Sequence, residues 1–491
     1  MNILSILVII PLLTLLALFV SRNQRYVRTV AVAGFGLQLI CAVVVAVQFL
    51  QLRSVSDEAM LLFSDTVWYA PFNIHYTVGV DGISVLMILL SAVVAFAGVF
   101  SSWNMERDFF AWYSLLSIGV FGYFISLDLF TMFMFYEIAL IPMFLLIGVW
   151  GTGRKVYAAT KLTLMLMGGS ALLLTGILGI YFTSGATTMN IMELARMDSI
   201  PMHHQYWIFC LTFIGFGVLG ALFPFHTWSP DGHASAPTSV SMLHAGVLMK
   251  LGGYGCFRVA IFLMPQAAHE LSWIFLILTG IGVVYGAYGA VVQTDLKYMN
   301  AYSSVSHCGL VLFAILMLNQ TAMTGAVLQM LSHGLMTALF FSLIGMIYGR
   351  THTRDIREMG GMMRIMPFAS VCYVIAGFAS LGLPGFSGFV AEMTIFIGSF
   401  EHADLFRRVL TILATTTIVV TAVYILRTVG KVFYGEVQNP AHLQLDDAHW
   451  YERLSAVALI ACIVAIGVWP SAVQGILYDS FAPVVEHLNI F

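Results

Sequence analysis

The sequence predicts an all-α polytopic membrane protein of about fourteen transmembrane helices. Three observations carry this. Of 491 residues, 60% are hydrophobic and 9% charged, whereas a soluble globular chain carries roughly a quarter charged residues. Apolar runs of roughly 20 residues recur from end to end, each able to cross a ~30 Å hydrocarbon core, and in lipid a helix satisfies its own backbone. Basic residues also concentrate in alternate loops, as the positive-inside bias requires.

The first run, 3–20, has neither a basic n-region nor a small-residue cleavage site before Arg22, so it reads as a helix and not a signal peptide. Further spans are expected at 29–50, 81–102, 109–127, 129–150, 157–183, 206–224, 239–263, 272–293, 299–318, 322–348, 366–398, 408–433 and 454–476. Of the polar connections, 51–80, 184–205 and 434–453 are the longest, and none could fold as an aqueous domain with its own core. Redox or nucleotide chemistry would therefore sit on another chain.

With the N-terminus outside, the inner loops hold Arg22, Arg25, Arg28, Arg107, Arg154, Lys155, Lys161, Lys297, Arg350, Arg354, Arg357, Arg364, Arg427, Lys431 and Arg453. The outer loops hold only Arg53, Arg196, Arg407 and Arg408. Lys250 and Arg258 remain within a span, and Arg258, near its outer end, is expected to snorkel.

Two spans look broken. In PFHTWSPDGHASAP, 224–237, Pro224, Pro230, Pro237 and Gly232 oppose a continuing helix, and LGLPGFSG at 381–388 does the same in the twelfth span. The breaks lie five helices apart, and an odd offset inverts one half against the other. The expected organisation is therefore helices 1–3 in 1–108, a first inverted repeat (helices 4–8) in 109–263, a second (helices 9–13) in 272–433, and a C-terminal loop with helix 14 in 434–491. Irregular backbone at membrane depth survives where protein packs it or where it lines a wet cavity, so each break points at a half-channel.

The net charge of -3 leaves no basic patch suited to nucleic acid, and partners are expected to be membrane proteins and lipids. Six cysteines stand singly in apolar runs, as packing residues do, without the paired spacing of a metal, iron–sulfur or disulfide site. GFGVLG at 215–220 lacks the spacing of a phosphate-binding loop.

A charge at mid-membrane costs about 2.5–3.5 kcal/mol even on an insertion scale, so buried ionisable groups are functional candidates. Glu137 in LFTMFMFYEIALIPMFLLIGVW, Lys250 in SVSMLHAGVLMKLGGYGCFRV and Glu392 in PGFSGFVAEMTIFIGSF qualify. His307 in AYSSVSHCGL and His333 in LQMLSHGLMTA suit proton relay, because imidazole loads and releases near neutral pH. His226, His233 and Asp231 belong to the first break and are expected to shape or cap it.

YEIALIPMFLLIGVWG, PFHTWSPDGHASAP, LMKLGGYGCFR, DLKYMNAYSSVSHCG, LSHGLMTALFF, HTRDIREMGG and LPGFSGFVAE resemble, in order, the antiporter-like M-subunit (chain 4) family of respiratory complex I, NADH:quinone oxidoreductase. That family is related to multi-subunit cation/proton antiporter subunits. The similarity is strongest over about 78–400 and covers nearly the whole chain. The resemblance implies an enzyme subunit that translocates protons through two half-channels, driven by quinone reduction elsewhere. It implies no cofactor on this chain, with quinone, NADH, flavin and iron–sulfur clusters on partner subunits. The implied partners are the antiporter-like L and N subunits of the membrane arm, in a bacterial inner membrane with both termini outside. Glu137 matches the family's fifth-helix glutamate, Lys250 the eighth-helix lysine and Glu392 the twelfth-helix acid near the distal exit.

The family usually carries a seventh-helix lysine where this chain has Leu219, and Trp-Leu-Pro-Asp-Ala-His where it has Trp-Ser-Pro-Asp-Gly-His. His244, six residues before Lys250, is the nearest substitute in sequence, although ~100° per residue turns it to another neighbour. A subunit of a related antiporter, membrane hydrogenase or carbon-uptake complex, or a non-pumping spacer, stays open beside the pumping reading.

Overall fold

The computed structural model describes residues 2–489 except 22, 57 and 186, so Arg22 lies outside the described residues. Every expected span is occupied by helix, and many helices start at a side-chain cap. Asp81, Asp128, Asp295 and Asn319 each accept from a backbone N–H of the first turn, satisfying a donor that the helix leaves orphaned.

Ten helices among the described residues are long and apolar enough to cross a membrane: Ile3–Val20, Gln24–Arg53, Gly82–Ser101, Arg107–Ile125, Leu129–Trp150, Lys155–Thr183, Pro265–Val292, Gln320–Thr351, Leu405–Phe433 and Trp450–Val468. The other four expected spans are helical but short, interrupted or polar. Met202–Leu219 opens on polar residues, 238–261 carries Lys250 and Arg258, Leu296–Ile315 carries serines, Asn300 and His307, and the twelfth is split into Pro367–Ser380 and Ser387–Phe400. The stretches 238–261 and 296–315 are almost wholly buried in protein, so they carry polar groups that a lipid-facing helix would not, whereas the two pieces of the twelfth stay apolar but are each short.

Gln320–Thr351 is the hub, with 94% of its most apolar stretch buried, whereas Trp450–Val468 at the rim has 22%. Close glycine contacts set the packing around the hub. A Cβ on Gly334 would stand 2.6 Å from the Gly246 carbonyl oxygen, and one on Gly398 would press on the Ala322 backbone nitrogen at 2.3 Å.

Both breaks exist, in forms that differ from expectation. Across 224–237 the chain forms a short helix, Trp228–Ser235, that includes Pro230 and Gly232. Pro230 is the third helical residue, where the lost N–H is an orphan donor in any case, so proline is tolerated. Trp228 Nε1 donates to the Val218 carbonyl (3.0 Å) and ties the break to the preceding helix. The second break turns through Gly382 and Gly385 at φ +62° and +96°, a region glycine enters without Cβ strain.

Three further features were not expected. Lys250 sits in an α-helical piece, Met249–Gly255, between two π-helical segments, His244–Leu248 and Cys256–Ile261. The connection 51–80 holds an antiparallel hairpin, Leu61–Tyr69 with Ile74–Val80. The expected last span 454–476 divides into Trp450–Val468 and a separate helix, Ser471–Asn489. Pro470 forces this division by driving Trp469 out of the helical region, to φ -126° and ψ 65°.

Candidate functional site

Four of the residues singled out by sequence meet in the interior. Lys250, 2% exposed, donates from Nζ to the Ala245 carbonyl and lies 2.7 Å from His333 Nδ1. The close approach of Gly246 to Gly334 brings these two helices together. His333 faces His307, ring centroids 5.2 Å apart. His307 Nδ1 accepts from Gln329 Nε2 (2.9 Å) and lies 3.6 Å from Glu392 Oε1. His307, His333 and Glu392 are all buried, and Nε2 of both histidines has no hydrogen-bond partner among the described residues.

Gln329 and His333 are one helical turn apart and so share a face. Ser387–Phe400 delivers Glu392 to that face because Gly398 and Gly325 let it pack directly on Gln320–Thr351. Ser332 Oγ and Ser387 Oγ (2.7 Å) pin the same contact. A cavity of ≈ 10 Å³ lined by Gly220, Lys250, Cys308 and Met330 adjoins the lysine, about the volume that one water requires.

Glu137 is not part of this chain of groups. It lies half-buried on Leu129–Trp150 beside Ser170, with Oε1 unpartnered, and among the described residues no ion pair joins it to a cation. Leu219 is buried. His244 also stands apart, stacked on Trp228 (5.2 Å) and against His233 (4.4 Å).

Sequence reasoning missed several partners. Lys161 and Lys297, read as loop residues, are helical. Lys161 pairs with Asp231 Oδ2 (2.7 Å), whose Oδ1 accepts from Tyr298 (3.0 Å), and buried Lys297 donates to the Ala236 carbonyl (2.7 Å). Arg258 does not snorkel: 1% exposed, it pairs with buried Asp81 and lies over the Tyr254 ring. Gln329, also missed, had a local signal, a polar side chain one turn from His333. Among the described residues no three His, Cys, Asp or Glu side chains gather as a metal site would need.

The sequence model of the NADH:quinone oxidoreductase/Mrp antiporter transmembrane family matches residues 126–421. The chain belongs to that family. NAD(P)H-quinone oxidoreductase chain 4 1 of a Synechococcus strain is 35% identical over 478 residues, 95% of this chain and 89% of that protein. NADH-quinone oxidoreductase subunit M of Rickettsia conorii is 33% identical over 500 residues, 99% of each. Among solved structures, a chain of Thermus thermophilus respiratory complex I superposes with TM-score 0.89 at 24% identity, covering 99% of this chain and 100% of that one. A chain of the Dietzia Mrp complex gives 0.87 at 19%, covering 99% of each. These two likenesses concern the fold. The family is a transmembrane one, and the ten long apolar helices among the described residues give this chain a multi-pass membrane build.

Proposed function

We propose that the chain is a proton-translocating membrane subunit of a complex I-type NADH:quinone oxidoreductase. The observation that carries this is the continuous line Lys250, His333, His307, Glu392 through an apolar interior. Buried ionisable groups are costly at membrane depth, and four in contact serve transfer better than stability. Lys250 hands a proton to Nδ1 of His333, and that ring releases one from Nε2. That proton passes to His307, whose Nδ1 lies 3.6 Å from Glu392 Oε1, and Glu392 collects it next to the second break. The break at 224–237 is the inner half-channel and that at 381–388 the outer. Glu137 titrates separately, on a flank.

In this reading the chain crosses a bacterial inner membrane fourteen times with both termini outside, and 109–263 and 272–433 are inverted repeats. The basic-residue asymmetry supports that orientation. Its partners are the antiporter-like L and N subunits, with quinone, NADH, flavin and iron–sulfur clusters on other chains; the names of its relatives support the NADH and the quinone. The shared fold with the Mrp complex favours a second reading, a cation/proton antiporter subunit, which copurified partners would separate from the first. The missing basic residue at Leu219 favours a third, a non-pumping spacer.

The test is proton stoichiometry in vesicles. Lys250→Met should assemble, keep NADH:quinone turnover and lose the protons this subunit moves. A full ratio would reduce Lys250 to a structural residue and favour the spacer.

A further inference from the structure

We propose that the cleft between the helices Ile3–Val20, Arg107–Ile125 and Leu129–Trp150 binds one phospholipid with a zwitterionic phosphoethanolamine headgroup, a site that does not depend on the translocation reading. The cleft measures ≈ 600 Å³, within the roughly 300–1,000 Å³ that small-molecule sites occupy. Phe19, Leu115 and Val149 give it apolar walls, and Glu106, Arg107 and Asp108 line it as well. The same three charged residues line a second cavity of ≈ 320 Å³, whose other walls include Ser21 and Gln24. An apolar chamber thus meets a polar one across a charged lip, which is the profile of a lipid where its chains join its headgroup.

The lip also lies at the right depth. It is formed by the first turn of one apolar helix, Arg107–Ile125, and the last turn of another, Leu129–Trp150. Trp112 and Trp150 stand beside it, and tryptophan, with an apolar body and a polar edge, favours the headgroup level of a membrane.

The charges are placed to receive both signs of the headgroup. Arg107 Nε lies 2.9 Å from Asp108 Oδ1, and Trp150 Nε1 donates to Glu106 Oε1 (2.7 Å). Among the described residues no hydrogen bond takes up the two terminal nitrogens of Arg107, Oδ2 of Asp108 or Oε2 of Glu106. The guanidinium can therefore donate to a phosphate while the two free carboxylate oxygens accept from a primary ammonium. Because the Glu106 side chain does not cap the helix that it precedes, the first-turn N–H groups stay open to the same phosphate. Gln24 fixes the approach to the lip by donating to the Met105 carbonyl.

The balance of charge selects among lipids. One arginine stands against two carboxylates, which repel a headgroup of net negative charge. Arg28 does not offset them, since it is engaged by the Trp103 carbonyl and Asn104 Oδ1 and lines neither cavity. A choline headgroup has the right charges but no N–H to give the carboxylates, so ethanolamine is the better match.

The experiment places the whole purified complex in nanodiscs with phosphatidylethanolamine that carries a diazirine near the glycerol end of one chain, and maps the photolabelled peptides by mass spectrometry. The label should fall on 15–19 and 111–115. Unlabelled phosphatidylethanolamine should displace it, and phosphatidylglycerol and phosphatidylcholine should each do so about tenfold less well, the scale of one lost hydrogen bond to a charged group. Arg107→Gln should remove the label from both stretches. Glu106→Gln combined with Asp108→Asn, which makes the lip cationic, should turn the preference toward phosphatidylglycerol. Equal displacement by the three lipids would mark an unselective lipid-facing surface and overturn the proposal, as would an unchanged label in an assembled Arg107→Gln complex. If neither variant assembles, displacement by the three lipids on the unaltered complex decides alone.

Discussion

Arg258 shows how one residue can be misread locally and explained only by its partner. A long basic side chain near the end of an apolar run suggests snorkelling, but Asp81, 177 residues away, neutralises it in the interior. Asp81 also caps the helix Gly82–Ser101 through the Ser84 N–H. Removing one member of a buried pair leaves an uncompensated charge and costs about 3–5 kcal/mol, whereas removing both is far milder. Asp81→Asn and Arg258→Met should each destabilise the detergent-solubilised complex by that order, with the Asp81→Asn loss including its cap. The double variant should lose clearly less than the two losses added, the signature of coupling in a double-mutant cycle. Additive losses would show that the pair is not the source of the effect. Lys250, Glu392, His307 and His333 were legible because an ionisable group inside an apolar run stands out without knowledge of its neighbours. The bridge from Lys161 to Asp231 was not, since each lies at a margin where solvation is the simpler reading.

At the scale of elements, the long apolar helices were readable because lipid imposes length and composition. The two π segments beside Lys250 were not, because one extra residue per turn leaves composition unchanged. Glycine spacing carries what remains: helices meet where a side chain is missing. At Gly398 an added Cβ would strike the Ala322 backbone, which cannot rotate away. Gly398→Ala should therefore force Ser387–Phe400 off the hub, costing about 1–3 kcal/mol as overpacking does, and lower proton transfer by widening the gap between Glu392 and His307. Gly385→Ala is the control: its surroundings are open, so only the strain of positive φ applies, roughly 1–2 kcal/mol. Thermal stability and pumping ratio measured on both should move together for Gly398→Ala and separate for Gly385→Ala. Equal pumping loss in the two would mean that the break, and not the crossing, positions Glu392.

The whole molecule poses a question of topology that the polar helices decide. Between the hairpin at Thr66 and the basic loop at Arg357, the ten long apolar helices supply six crossings, Gly82–Ser101, Arg107–Ile125, Leu129–Trp150, Lys155–Thr183, Pro265–Val292 and Gln320–Thr351. Six is even and would return both sites to one side. Met202–Leu219, 238–261 and Leu296–Ile315 carry the buried polar groups, and if they also cross, the number is nine and the sites lie opposite. The pairing of the loops agrees with nine. Arg354 binds Asp295 (3.1 Å) and the Ala234 carbonyl (2.7 Å), joining one basic margin, while the helix Ser471–Asn489 meets Gln320 and His269 at the other. The native cysteines are buried or half-buried, which keeps background labelling low. Thr66 and Arg357 are both exposed, so Thr66→Cys and Arg357→Cys can be probed with a membrane-impermeant maleimide on right-side-out and inverted vesicles. The expected result is labelling of Thr66→Cys only from outside and of Arg357→Cys only from the cytoplasmic face, where the positive-inside bias puts the arginines. Labelling of both from one side would remove the three polar helices from the set of crossings. The path from Lys250 to Glu392 would then no longer lie between two aqueous faces.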